Sequence, residues 1–550
     1  MSSPTPLVEC ILSGGRVWSA GGLPLGADAI AIGGGRIVTV GRARDLRRLA
    51  TNRTTVIDLP GAMILPGFQD AHVHTIVGGL ESRLCDLSAV EADVDAYRPV
   101  IAAYAAAHPE RPWIIGSGWN MVAFERGGPT RGALDDLVPD RPVFLASRDG
   151  HSAWLNSRAL EAAGIGPGTE EPTLGRIERE SSGAPAGTLH ELAQRLVDPV
   201  LPRPSASDLA EGLRTGQAYL HRLGITAWQD ANVDPSMLAT YVAASERGEL
   251  TGRALAALGW DEERGTDQIE GLVALRQSVA GHDRLRASTV KVFMDGVIET
   301  RSGAMLAAYL DASGLPTDDS GACRLEAEAL GDAVTALESL AFQVHVHAIG
   351  DRASRTALDG FAVARSRRGP GVELDLRHHI AHLESVDPAD FARFAELGVT
   401  ANVQALWASR DPDTDSLIRP LLGDARTDAR YPFGSLVRAG ARLAMGSDWS
   451  VTSADPLAII EVAVRRIDPG RRDDPPFSPS ESISLETALA AYTRGSAFVN
   501  HLGAETGELE VGRLADLVVL DRDILARDAA PPADARVLLT LVEGRVVYES

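Results

Sequence analysis

Seven of the chain's 13 histidines fall in three short clusters. These are Asp70-Ala71-His72-Val73-His74, His345-Val346-His347-Ala348-Ile349-Gly350-Asp351 and His378-His379-Ile380-Ala381-His382. On a strand, residues i and i+2 point to the same face, so two imidazoles spaced this way can converge on one cation. A lone H-x-H is weak evidence, and a structural histidine explains it as well. Three clusters plus Gly446-Ser447-Asp448 add up to a nitrogen and oxygen donor set of the kind divalent metals take.

Lys291 lies within the apolar run Val290-Lys291-Val292-Phe293. Burying a charged lysine is costly, and desolvation lowers its pKa and frees the amine for reaction. Reaction with carbon dioxide gives a carbamate, an anionic oxygen donor able to bridge two cations. The alternative is a lysine paired with a carboxylate distant in sequence.

These residues need strands that carry them to one end of a sheet. Apolar runs alternate with Ala- and Leu-rich helical stretches through the middle of the chain, which implies βα units. Strands are predicted at 67–74, 225–230, 253–258, 289–294, 342–347, 376–382, 399–403 and 443–447, with helices such as 209–223 and 327–340 between them. Eight such strands make a (β/α)₈ TIM barrel, an α/β fold whose active sites lie at the C-terminal strand ends. The histidines, Lys291 and Asp448 all fall at or near those ends.

The gap from His74 to Ile225 is too long for one βα unit. An α+β subdomain is therefore expected at 81–204, covering the barrel mouth. Short strand-like segments with glycine turns occupy both termini and predict one composite β-sandwich from 1–66 plus 500–550. The barrel itself takes 67–80 plus 205–499.

Composition sets the outer limits. The 550 residues are 45% hydrophobic and 23% charged, which suits a multidomain globular protein. The net charge of −22 disfavours nucleic acid as a partner. Cys10, Cys85 and Cys323 are too few and too far apart for a disulfide framework or a CxxC zinc site. There is no secretory pattern at the N-terminus and no membrane-length apolar run, so the expected location is the cytoplasm, without membrane association.

The chain resembles the amidohydrolase superfamily, in particular amidohydrolase family 3. The resemblance rests on residues 65–74, Asp149-Gly150-His151-Ser152-Ala153-Trp154-Leu155-Asn156-Ser157, residues 290–296, His347-Ala348-Ile349-Gly350-Asp351-Arg352-Ala353, residues 444–448 and the closing 512–520. It implies a hydrolase of carbon–nitrogen bonds other than peptide bonds, with two divalent metals, zinc first among them. His72, His74 and Asp448 would bind one metal and His347 and His382 the other. Lys291, carboxylated by carbon dioxide, would bridge both. Asp448 would serve as general base. His345 or His151 would stabilise the oxyanion, and His378, His379, Asp295 and Asp351 would play supporting parts. Trp119, His151, Gln404, Trp407 and Trp449 are candidate substrate contacts, each with a packing or turn role as the alternative.

Two departures from the commoner family pattern bear on the pocket. Ala381 precedes His382 where glutamate is usual, and Trp449 follows Asp448 where a small residue is usual. The competing functional readings are a deaminase of an amino-substituted heterocycle, a carbon–oxygen or phosphoester hydrolase, and a non-catalytic barrel scaffold. A small molecule is the expected partner, and a homodimer the candidate assembly.

Overall fold

A computed structural model describes residues 7–124, 128–368 and 374–550 of the chain. The N-terminal residues 1–6, part of the stretch read as lacking a secretory signal, lie outside the described residues.

Eight parallel strands form one sheet in sequence order. They are β1 (Phe68–Val73), β2 (Ile225–Val233), β3 (Arg253–Gly259), β4 (Leu285–Phe293), β5 (Gln343–Ala348), β6 (His379–His382), β7 (Thr400–Val403) and β8 (Leu443–Met445). Between β8 and β1 the Asp448 N–H donates to the His72 carbonyl at 2.8 Å, and the Ser447 N–H donates to the Asp70 carboxylate at 3.1 Å. The sheet therefore curls into a barrel. Helices such as Ala206–Arg222 and Ala327–Ser339 pack outside it. All eight predicted strands are present, with shifted ends. β6 starts three residues late because Arg377 sits at φ +60, in the left-handed region. β4 starts four residues early, at Leu285.

Two further sheets join the chain's ends. One holds Cys10–Ser13, Ala29–Gly33, Arg36–Gly41 and Thr55–Asp58. The other pairs Met63–Pro66 antiparallel with Leu517–Leu520, and adds Arg16–Val17, Val537–Val542 and Arg545–Glu549. Side-chain alternation assigns the faces. Leu12, Ile30 and Ile32 share one core with Ile64, Leu517 and Val519. Met63, Leu65, Val518 and Leu520 point the other way and join the barrel core.

Between β1 and β2 the chain builds a separate six-stranded sheet. Its order is Gly175–Arg179, Pro185–Glu191, Ser152–Leu155, Val143–Ser147, Ile114–Trp119 and Cys85–Asp86. The entry and exit of this excursion are held together by helices Thr75–Glu81 and Ala206–Arg222. Glycines make that contact close: a Cβ on Gly79 would lie 1.9 Å from the Gly212 carbonyl oxygen. The excursion thus leaves from the C-terminal end of β1, the end where the histidines emerge.

Among the described residues no helix is long and apolar enough to cross a membrane.

Candidate active site

The site is built where β1 and β8 meet. Asp70, buried inside β1, accepts from the His72 N–H at 3.0 Å as well as from Ser447. Burial pushes its carboxyl up to about 7, against the pull of those hydrogen bonds. Its place is structural: it locks the β1 histidines to the turn that carries Asp448.

Around Asp448 the imidazoles converge. Its Oδ1 lies 3.3 Å from His72 Nε2 and 3.1 Å from His74 Nε2, and its Oδ2 lies 3.7 Å from His382 Nδ1. Ligand atoms of His72, His382 and Asp448 fall within 4.8 Å of one another. Both Asp448 Oδ1 and His382 Nδ1 are buried without a hydrogen-bond partner. Buried polar atoms are rarely left so, and nitrogens turned on an oxygen without hydrogen-bond geometry suit a cation placed among lone pairs. The backbone is also unusual here: Asp448 has φ +54 and His382 φ +78. Such conformations are uncommon outside glycine and gather at functional sites.

His347 and Lys291 complete the ring. His347 Nε2 donates to the Gly296 carbonyl at 3.3 Å, which leaves Nδ1 as the free lone pair. Its ring centroid is 4.5 Å from that of His382. Lys291 is 1% exposed, with Nζ 3.5 Å from His345 Nε2. Among the described residues it forms no ion pair, so the paired-lysine alternative finds no partner there. Burial pushes it down to about 7.

Electrostatics keep all but one of these imidazoles neutral. His72 is pushed down to about 3, by burial first and then by the Lys291 charge. Burial likewise holds His345, His347, His379 and His382 well below the usual histidine range. For Asp448 burial opposes ionisation, but the His72, His74 and His382 neighbours outweigh it and hold the carboxyl well below its ordinary value. His74 is the exception: burial alone would lower it, but the hydrogen bond and charge of Asp448 raise it above the usual histidine value. The neutral imidazoles and the ionised carboxylate are in the protonation states a metal needs, and His74 must give up its proton to join them.

A cavity of about 620 Å³ opens over this cluster, and all six expected ligands line it: His72, His74, Lys291, His347, His382 and Asp448. The far wall comes from the excursion and includes Trp119, Asp149, His151 and Glu191. Trp407 lines the cavity with its ring stacked on His382, at 5.4 Å between centroids and 6° between planes. Its indole N–H donates to Thr452 Oγ1 at 3.1 Å. Trp119, expected as a substrate contact, borders the cavity but is fully buried in the core of the excursion, with its indole N–H committed to the Leu145 carbonyl at 2.8 Å.

Four sequence expectations land elsewhere. His345 does not line the cavity; it lies beneath His72, with Nε2 2.9 Å from His72 Nδ1. That is a position for setting the His72 tautomer, not for meeting substrate. The Gln404 carboxamide is spent inside the barrel wall, where Oε1 accepts from the His382 N–H at 2.8 Å and Nε2 donates to Asn402 at 3.3 Å. Trp449 sits behind the wall, packed on Tyr219 and over Gly78, where a Cβ would come within 2.8 Å of the indole. Asp351 accepts from the Leu306 N–H and, among the described residues, hydrogen-bonds no histidine.

Asp295 is well placed for support. It accepts from the N–H groups of Ala304, Ile349 and Gly350 and lies 3.6 Å from His347 Nε2. His379 packs 4.0 Å from the His345 ring and bonds Gln229 and Asn402. His378 faces outward to Glu338.

Sequence reading missed Glu191, Arg324 and Glu299. Glu191 pairs with both His151 and Arg324 at 2.9 Å. Burial opposes its ionisation, but His151 and Arg324 pull it down to about 2. His151 is pushed up to about 9, because Glu191 outweighs the burial that alone would lower it. Glu299 faces the same cavity and is pushed up by burial and the nearby Glu384 charge. None of the three stands in a recognisable local motif.

Comparison with known proteins agrees with this architecture. The amidohydrolase family model matches residues 55–548. The Arabidopsis thaliana protein LONG AFTER FAR-RED 3 is 30% identical over the whole of this chain and 93% of its own length. The N-substituted formamide deformylase of Arthrobacter pascens is 28% identical over 95% of each chain. An uncharacterised metal-dependent hydrolase from Pyrococcus furiosus superposes with a TM-score of 0.70 at 25% identity, covering 94% of this chain and all of its own. With the family's model matching nearly its full length, the chain belongs to the amidohydrolase family.

Proposed function

We propose that the protein is a metal-dependent hydrolase of a carbon–nitrogen bond other than a peptide bond, in an amide, N-formyl or cyclic amide substrate. The observation that carries this reading is the cluster at the cavity floor, in which Asp448 Oδ1 and His382 Nδ1 are buried and unpartnered, Oδ1 turned toward the His72 and His74 nitrogens and Nδ1 toward Asp448 Oδ2. His72, His74 and Asp448 would hold one divalent ion, and His347 and His382 a second. Lys291, as a carbamate, would join the two. When bound, such ions supply Lewis acidity, which polarises a carbonyl and brings the pKa of water toward neutrality; zinc is the first candidate.

The remaining work falls to the chain's own groups. Asp448, ionised and at the cavity floor, accepts the proton of the attacking water and returns it to the leaving amine nitrogen. His345 holds the His72 tautomer from below, and Gln404 fixes the His382 backbone. Trp407 gives the cavity an aromatic wall for an apolar substituent.

An activity panel tests the reading, using N-formyl amines, N-acyl amino acids, hydantoins and amino-heterocycles with detection of released amine, acid or ammonia. Hydrolysis within the first three groups supports it. Ammonia from the heterocycles alone would replace it with a deaminase.

A further inference from the structure

We propose that Glu191 is a positioning residue that fixes His151 over the metal-ligand cluster, with His151 Nε2 turned to the substrate carbonyl oxygen. This rests on the hydrolytic reading of the cavity.

His151 enters the cavity from the excursion and its ring centroid lies 5.6 Å from that of His347. Its Nδ1 is engaged by Glu191 Oε1 at 2.9 Å, so Nε2 is the nitrogen left to face the cavity. The backbone clasps the same pair: the Glu191 N–H donates to the His151 carbonyl at 2.9 Å, and the His151 N–H donates to Asp149 at 2.9 Å.

Glu191 is held in turn from the barrel side. Ser302 Oγ donates to Oε1 at 2.6 Å, and Arg324 Nη2 meets Oε2 at 2.9 Å. Both residues belong to the segment after β4, the strand of Lys291. Gly296 makes room, since a Cβ there would lie 2.3 Å from Glu191 Oε1. Glu191 itself adopts φ +51, a conformation that a non-glycine residue keeps only when its surroundings impose it. A histidine of the excursion is thus registered to the barrel through one carboxylate with three partners. Because Nδ1–H is given to Glu191, Nε2 donates only from the imidazolium, the form that a carboxylate partner favours. A donor held in place before reaction is what stabilises charge developing on a carbonyl oxygen.

The test is a double-mutant cycle in the full-length, metal-loaded enzyme, with metal content measured in every variant. His151→Ala is expected to lower kcat by about 10²–10³-fold with a smaller change in KM, and Glu191→Gln by a similar factor. In the His151→Ala background, Glu191→Gln should cost nothing further. Glu191→Asp, which keeps the charge but draws it back, should fall between wild type and Glu191→Gln, and it serves if the Gln variant does not fold. Multiplying effects would make Glu191 a structural clamp and overturn the proposal. A second readout needs no substrate. The proton NMR spectrum should show a far-downfield His151 Nδ1–H resonance that disappears in both His151→Ala and Glu191→Gln. Its absence from the wild type would overturn the geometry, whereas a wild type inert on every substrate but showing this resonance would count against the hydrolytic reading alone.

Discussion

The Asp448 N–H donates to the His72 carbonyl at 2.8 Å, while the Asp448 carboxylate lies 3.3 Å from the same residue's Nε2. One pair of residues therefore closes the barrel and sets the closest approach of the expected base to the first expected ligand. Asp448 manages both through its positive φ, which turns the backbone toward β1 and the side chain into the cavity.

Replacing the carboxylate separates these roles. Asp448→Asn keeps the backbone contact and one oxygen donor but cannot accept a proton at neutral pH. The expected kcat loss is about 10²–10⁴-fold, with a smaller loss of bound metal. Parallel kinetics and metal analysis check this; a near-normal rate would show that the base lies elsewhere.

Lys291 makes a chemical prediction. Burial brings it down to about 7, leaving a substantial neutral fraction at physiological pH. Protein equilibrated with ¹³C-bicarbonate and metal should show a carbamate carbon resonance that is missing in Lys291→Ala. Lys291→Glu, which keeps an anionic donor, should retain more metal than Lys291→Ala. A wild-type spectrum without that signal would refute the carbamate.

The barrel was legible because eight apolar runs alternate with helical stretches, and the site because five of those strands carry, or lead into, its histidines, lysine and aspartate. The spacing of His72 and His74 puts both rings on one face, and the structure brings them to the same Asp448 oxygen and the same cavity. The same rule misled at His345. It shares a face with His347 but lies two residues deeper in β5, so it falls below the cavity floor. Gln404 and Trp449 show a related limit. Polar or aromatic residues at strand ends look alike in sequence whether they point into a cavity or brace its wall. Glu191 was out of reach for another reason: Ser302 and Arg324 lie 111 and 133 residues away from it in the chain, and only the docking of the excursion brings them together.

Gln404 is expected to act on metal binding through His382. Gln404→Leu removes the acceptor for the His382 N–H and leaves a buried donor unpaired. Stability should fall by about 1–3 kcal/mol. Metal affinity should weaken by about 10–100-fold, the usual effect of losing a partner behind a ligand. Denaturant titration and competition with a chelator measure the two; unchanged metal affinity would confine Gln404 to packing.

The His151–Glu191 pair has a defined pH window. Folding raises His151 from 6.5 to about 9, so its share of stability is complete below 6.5 and is lost as pH rises through about 9. Folding lowers Glu191 from 4.5 to about 2, so its share is present above 4.5 and is lost as pH falls through about 2. The stability gap between wild type and Glu191→Gln should therefore be widest between these limits, near pH 5–6, and should narrow toward pH 10. Denaturant midpoints across pH give the curve, and a gap that widens on the alkaline side would contradict the pairing.

The central claim, that metal held by this cluster drives hydrolysis of a carbon–nitrogen bond, is tested most directly by removing and restoring the metal. Purified protein is analysed for bound metal, stripped with chelator and reloaded with zinc, while amine release from its best N-formyl or N-acyl substrate is followed throughout. The expected result is two metal ions per chain at full activity, turnover lost with the metal, and turnover regained on reloading in wild type but not in His72→Ala. Amine release that continues undiminished in metal-free protein would contradict it.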